Sequence, residues 1–202
     1  MIRLLKNRHA LSTVVTTLII LVVAVLLATV VTYYAINVVS TRVQEESLSV
    51  VKQHVWINST GIMGTPSYCL ASLMVTNTGG RDVVINQVAV RGQACPWNDT
   101  AGTNQKFIVY CTTQDAISDD LSYTPNFNFT GGVNHMMVGH KQYNFTVATN
   151  PLILRSGDTM LMYIINPDSI SVNDVGLTVG ITIHSAQAIY YRETNIQAVS
   201  SS

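Results

Sequence analysis

Three cysteines, five histidines and the aspartates between residues 115 and 120 are the groups able to carry chemistry in this 202-residue chain. Cys95 and Cys111 flank CPWNDTAGTNQKFIVYC, a stretch of turn formers that a disulfide would close. For a loop near 15 residues such a bridge contributes about 3 kcal/mol on the chain-entropy account. The alternative is a pair of buried thiols, and of the two the bridge is expected. Cys69, in the apolar run SYCLASLMV, reads as a small core residue. His135 and His140 are spaced as neither i,i+3 nor i,i+4 and have no cysteine or acidic neighbour, so no metal is expected there. Asp115, Asp119 and Asp120 lack the alternating acidic pattern of a calcium loop and read as a solvated turn. Serine, histidine and aspartate all occur, without a G-x-S-x-G elbow or a Cys/His signature. No catalytic residue and no cofactor is therefore expected.

Sequons for N-glycosylation begin at Asn58, Asn98, Asn128 and Asn144. Composition alone gives roughly three by chance, so their number says little. A sparsely charged domain outside the cell would nonetheless gain solubility from glycans, and at least one occupied site is expected.

The element that governs the rest is apolar. From Ala10 to Thr41 the chain has no charged residue and no histidine, and it is entered from the basic stub MIRLLKNRH. About 20 apolar residues span a bilayer, so these 32 exceed the requirement by half. Apolar positions lie all around the helical wheel, the pattern of a helix buried on every side. With the stub in the cytoplasm, the positive-inside rule sends everything after the helix outward. Past Ala10 eight basic residues face eleven acidic ones, which leaves no basic patch for nucleic acid.

Beyond Thr41, Val43, Leu48, Val51 and Val55 are spaced for one apolar helical face, so the helix is expected to run over 11–57. Asn58-Ser-Thr-Gly61 would end it, with a head domain over 58–202. The head reads as short strands between turns. Leu70 to Asn77 and Val83 to Val90 form a candidate hairpin around Asn77-Thr-Gly-Gly80. Leu177 to His184 alternates with period two, and Ala188 to Glu193 would return beside it. Asp115 to Lys141 fits no strand pattern and reads as a long loop, with the Met136-Met137 pair in the core. The expected fold is α+β, a long N-terminal hydrophobic helix followed by an all-β, Ig-like sandwich head.

KNRHALSTVVTTLIILVVAVLL, with the basic leader before it and the β head after it, resembles the archaeal type IV pilins and archaellins. The resemblance covers about residues 6 to 56. It implies a leader of residues 1–10 recognised through Lys6, Arg8 and His9 and cut between Ala10 and Leu11 by a prepilin peptidase. Val15 stands where bacterial pilins usually carry glutamate, as in the archaeal branch. It further implies an assembly ATPase and a platform protein that move subunits from the membrane, where the precursor waits, to a homopolymer of identical chains. Ser12, Thr16, Val23, Ala24 and Ala28 would let helices approach closely. The expected function is a non-enzymatic subunit of an extracellular filament, a pilus before an archaellum. The rival is a single-pass, membrane-anchored domain that binds a partner at the cell surface.

Overall fold

The computed structural model describes residues 8–43, 45–58, 68–99, 105–124 and 133–199. The chain forms two separate units, Met1–Gln44 and Glu45–Ser202.

The first unit holds α1 (Arg8–Val43), 36 residues long. Glycine and proline are absent from it, so nothing interrupts the i→i−4 ladder. It is shorter than the 11–57 helix expected. Leu48–Asn58 is instead the first strand, β1, and the boundary lies at Gln44/Glu45 rather than near residue 58. The spacing of Val43, Leu48, Val51 and Val55 imitates a helical stripe because β1 carries a bulge. Lys52 adopts a left-handed φ of 54°, and the register with the next strand slips between Val51 and His54. The extra residue flips parity. Leu48 and Val50 before the bulge, and Val55 and Ile57 after it, all enter one core.

The second unit is built on a 12-stranded sheet. Its other strands are β2 (Tyr68–Asn77), β3 (Val83–Val90), β4 (Gln93–Ala94), β5 (Asn98–Asp99), β6 (Lys106–Thr113), β7 (Val133–Val138), β8 (Lys141–Val147), β9 (Leu152–Leu154), β10 (Thr159–Ile165), β11 (Thr178–Ser185) and β12 (Ile189–Val199). The order is β4-β3-β11-β12-β1-β2-β10-β6-β8-β7, with β5 on β6 and β9 on β3. This is one continuous mixed sheet, not the two separate sheets of an Ig-like sandwich. The alternation of Val179, Ile181 and Ile183 is buried as expected, and β12 returns antiparallel beside β11. The hairpin expected between residues 70–77 and 83–90 does not form. β2 pairs with β1 and β10, whereas β3 pairs with β11, β4 and β9. β7 falls in the stretch expected to be loop.

Both faces of the central strands are buried, in different clusters. Along β2, Cys69, Ala71, Leu73 and Val75 enter the first with Val88 and Val90 of β3 and Ile181 of β11. These partners are several strands away along the sheet, so the sheet folds over to bury them. Tyr68, Leu70 and Met74 face the second cluster, with Phe107, Phe145, Tyr163 and Leu121. At the fold, β12 pairs parallel to β1 only from Val55↔Ile196 to Asn58↔Val199. Where that ladder parts, side chains take its place. Arg192 Nε donates to the Val50 carbonyl at 3.0 Å, Thr194 Oγ1 to Gln53 O at 3.1 Å, and Gln53 Nε2 to Glu193 O at 3.2 Å.

The stretch 115–124 covers the second cluster and is tied to the bulge. The Lys52 ammonium donates to the carbonyls of Ile117, at 3.0 Å, and Asp119. His54 Nε2 meets Asp120 Oδ1 at 2.9 Å and Oδ2 at 3.0 Å, and its ring stacks on Trp56. At the start of the head, Ser47 O accepts from Thr78 N at 2.9 Å and Gly79 N at 3.1 Å, which pins the first residues after α1 to the β2–β3 turn.

Candidate functional site: the apolar surface of the helix

Within α1 every side chain from Ser12 to Thr41 is exposed, and none is charged. Leucine, isoleucine and valine cover all sides of it, with Leu18, Leu21 and Leu27 each more than 60% exposed. So much apolar surface in water carries a large hydrophobic cost, and a helix of this length and composition suits a membrane anchor or a signal sequence.

The hydroxyls do not offset this. Thr16 Oγ1 donates to Ser12 O at 2.8 Å, Thr17 to Val14 O at 2.9 Å, Thr29 to Leu26 O at 2.8 Å, Thr32 to Ala28 O at 2.8 Å and Thr41 to Asn37 O at 2.9 Å. Turned back on their own backbone, they present methyl groups outward and suit an apolar surrounding. Val25, Ala28, Thr29, Thr32, Tyr33 and Ile36 line a shallow notch on the helix. Ala24, Ala28 and Val23 are all on the exposed surface, as close helix approach requires. Arg8, His9, Ala10 and Leu11 belong to the first turns of α1 by backbone conformation, so the Ala10–Leu11 bond lies inside the helix. Lys6 lies outside the described residues.

In the head the expected bridge between Cys95 and Cys111 is absent, and all three cysteines are free. The physical reason is the faces their side chains occupy. Cys95 enters the first core cluster with Cys69, whereas Cys111 follows Phe107 and Val109 into the second. The loop between them is short enough to close, but the sheet lies between the two side chains. Burial pushes the thiols of Cys69 and Cys95 up to about 12 and raises that of Cys111 as well.

Of the four sequons, the one at Asn58 is not open to a glycan. Its side chain is 1% exposed and Nδ2, the atom a sugar would occupy, donates to Tyr123 OH at 3.5 Å within the core. Asn98 is exposed on β5 and Asn144 on β8, where its Oδ1 meets His135 Nδ1 at 2.6 Å. Asn128 lies outside the described residues. Among the described residues no three His, Cys, Asp or Glu side chains converge as a metal site would require.

One juxtaposition has no signature in the sequence. Ser72 of β2 lies opposite His54 of β1, whose ring is held by Asp120. The composition is that of a serine, histidine, aspartate relay. Ser72 is wholly buried, however, and its Oγ has no hydrogen-bond partner, so it reaches neither the imidazole nor a substrate.

Asp115 Oδ2 accepts from Thr113 Oγ1 at 2.8 Å and from Lys141 Nζ at 2.5 Å. Those bonds, the lysine's first, hold its carboxyl below the usual range. No family model matches the chain, and neither does any curated protein.

Proposed function

We propose that the chain is a structural subunit of an extracellular helical filament of the archaeal type IV pilus kind, stored in the membrane through α1 and polymerised through the same surface. The observation that carries this reading is the Ser12–Thr41 span, 30 residues with none of its surface buried. At 1.5 Å per residue it measures about 45 Å, against about 30 Å of bilayer hydrocarbon. Other helices of the same kind would cover the surplus, and extraction from lipid into their bundle need not expose it to water. With the basic stub in the cytoplasm, the positive-inside rule would put the head outside, as a filament sheath requires. Leader removal at Ala10–Leu11 would leave the apolar span intact.

The experiment is electron microscopy of material sheared from the cell surface, with N-terminal sequencing of its main protein. Filaments built of a chain that begins at Leu11 support the reading. Detergent-soluble monomers that begin at Met1, with no filament containing the chain, favour the anchored binding domain. The end of α1 at Val43, short of the expected 57, is the observation on that side.

A further inference from the structure

Residues 114–124 lie over the second cluster without joining the sheet. Among the described residues none of their peptide groups bonds another peptide group, so no backbone ladder holds the segment. Its ties run through side chains instead. Thr113 and Lys141 donate to the Asp115 carboxylate, the Tyr163 hydroxyl donates to Ser122 O at 3.1 Å, and Thr124 Oγ1 donates to Met136 Sδ at 3.0 Å. Leu121 is its one buried side chain, with Ile117 and Tyr123 partly buried against the same cluster. Segments with few apolar contacts and no ladder open locally, at a free energy well below that of the whole domain.

Lys52 holds the middle of the segment. Its ammonium donates to the carbonyls of Ile117, at 3.0 Å, and of Asp119. The backbone of Lys52 sits at φ 54°, in the left-handed region that glycine enters freely and a lysine does not. The bulge needs only that conformation, which glycine would supply. A long cationic side chain at such a position is an outlier, and its use lies in the segment it reaches. His54, two residues on, grips the same segment at Asp120.

From this geometry we infer that residues 114–124 form a lid, latched by Lys52, which lifts from the second cluster as one unit while the sheet beneath it stays folded. Lifting bares the two rings that the segment touches: Trp56, against which Tyr123 packs edge-on at 6.0 Å, and Tyr163. The first cluster, on the other face of the central strands, takes no part in the motion. Lys52 thus does two things at once, shaping the bulge through its backbone and closing the lid through its side chain. This inference does not rest on the filament reading.

Methionines report on the lid from within the protein. Met136, whose sulfur the Thr124 hydroxyl touches, belongs to the second cluster, Met160 and Met162 belong to the first, and Met137 is exposed. The full chain in detergent micelles is given a brief pulse of hydrogen peroxide, and the sulfoxide at each position is read by tandem mass spectrometry. Met137 should oxidise first and Met136 next, with Met160 and Met162 far behind. Lys52→Gly removes the latch while giving the bulge the residue its φ prefers. It should speed oxidation of Met136 by about tenfold or more, leave Met160 and Met162 unchanged, and not lower Tm. Oxidation of Met136 in step with Met160 and Met162, in the native chain and in the variant alike, overturns the inference, because the segment then opens only when the sheet does. Equal rates at Met136 in the native chain and in Lys52→Gly overturn the assignment of the latch to Lys52.

Discussion

Gly79→Ala and Gly92→Ala should separate two reasons for which a chain needs glycine. A Cβ at Gly79 would lie 2.7 Å from the Glu45 carbonyl oxygen and 2.8 Å from the Ser47 nitrogen, both backbone atoms. Gly79 has no left-handed φ, so the demand is for space alone. Fitting a methyl group means lifting residues 45–47 off the turn, which sacrifices the bonds from Thr78 N and Gly79 N to Ser47 O. At about 1 kcal/mol for each bond and about 1 kcal/mol for the overpacking left once residues 45–47 have moved, the low end of its range, the loss is about 3 kcal/mol. Gly92 sits at φ +80° with nothing within 4 Å of its would-be Cβ. Alanine there meets only left-handed strain, about 1 kcal/mol. For a domain of this size 1 kcal/mol shifts Tm by about 2–4 °C. Thermal unfolding of the full chain in detergent, read by tryptophan fluorescence, should therefore fall by about 6–12 °C for Gly79→Ala and about 2–4 °C for Gly92→Ala. Equal shifts in the two variants would refute the close-approach argument.

Val23→Asp places a carboxylate on the exposed apolar span at a cost of about 3 kcal/mol in lipid, and should abolish filaments in sheared material; normal filaments would count against a packed helical core. Ser72→Ala removes a buried hydroxyl without a partner and should raise stability by about 1 kcal/mol, measured by urea unfolding, where a loss would reveal a bond to Oγ. Iodoacetamide at pH 8 should leave Cys69 and Cys95 unmodified in the folded chain, because thiols at about 12 hold almost no thiolate there; rapid alkylation of either would contradict their burial. Burial raises the Asp120 carboxyl, but its contact with His54, the Leu121 N–H bond and the nearby Lys52 charge together outweigh it and bring the value below the ordinary one. A lowered folded value means a contribution present above the unfolded pKa and lost as pH falls through the folded one. Acid titration toward pH 3 should therefore loosen the 115–124 segment, and Asp120→Asn should flatten that part of the profile, as followed by Trp56 fluorescence.

The uninterrupted helix and the alternation of Val179, Ile181 and Ile183 were readable because each carries a clean period. β1 was not, because its bulge at Lys52 inserts one residue and the apolar positions shift parity halfway along. Locally RVQEESLSVVKQHVWI has helical spacing, and only the pairing with β2 and β12 makes it a strand. β7 was hidden by its weakly patterned sequence, which gains strand structure from a complete ladder with β8. The separation of Cys95, just after β4, from Cys111 of β6 depends on which of the two core clusters each side chain enters, a property of register that loop length does not encode. For the same reason Asn58 reads as a surface sequon yet sits in the core, at the last paired position of β1. The Ser72, His54 and Asp120 row arises from cross-strand pairing and a returning loop, so no linear motif announces it.

The parallel pairing of β1 with β12 joins segments about 140 residues apart, the first and last strands of the head. During synthesis α1 precedes the head and is complete while most of the head is still unmade. β1 follows at once but lacks one of its two neighbours until residues 189–199 leave the ribosome. Pairings of such long range form slowly. The head therefore cannot complete its sheet until β12 has been made, so its folding follows, and does not accompany, the synthesis of most of its strands.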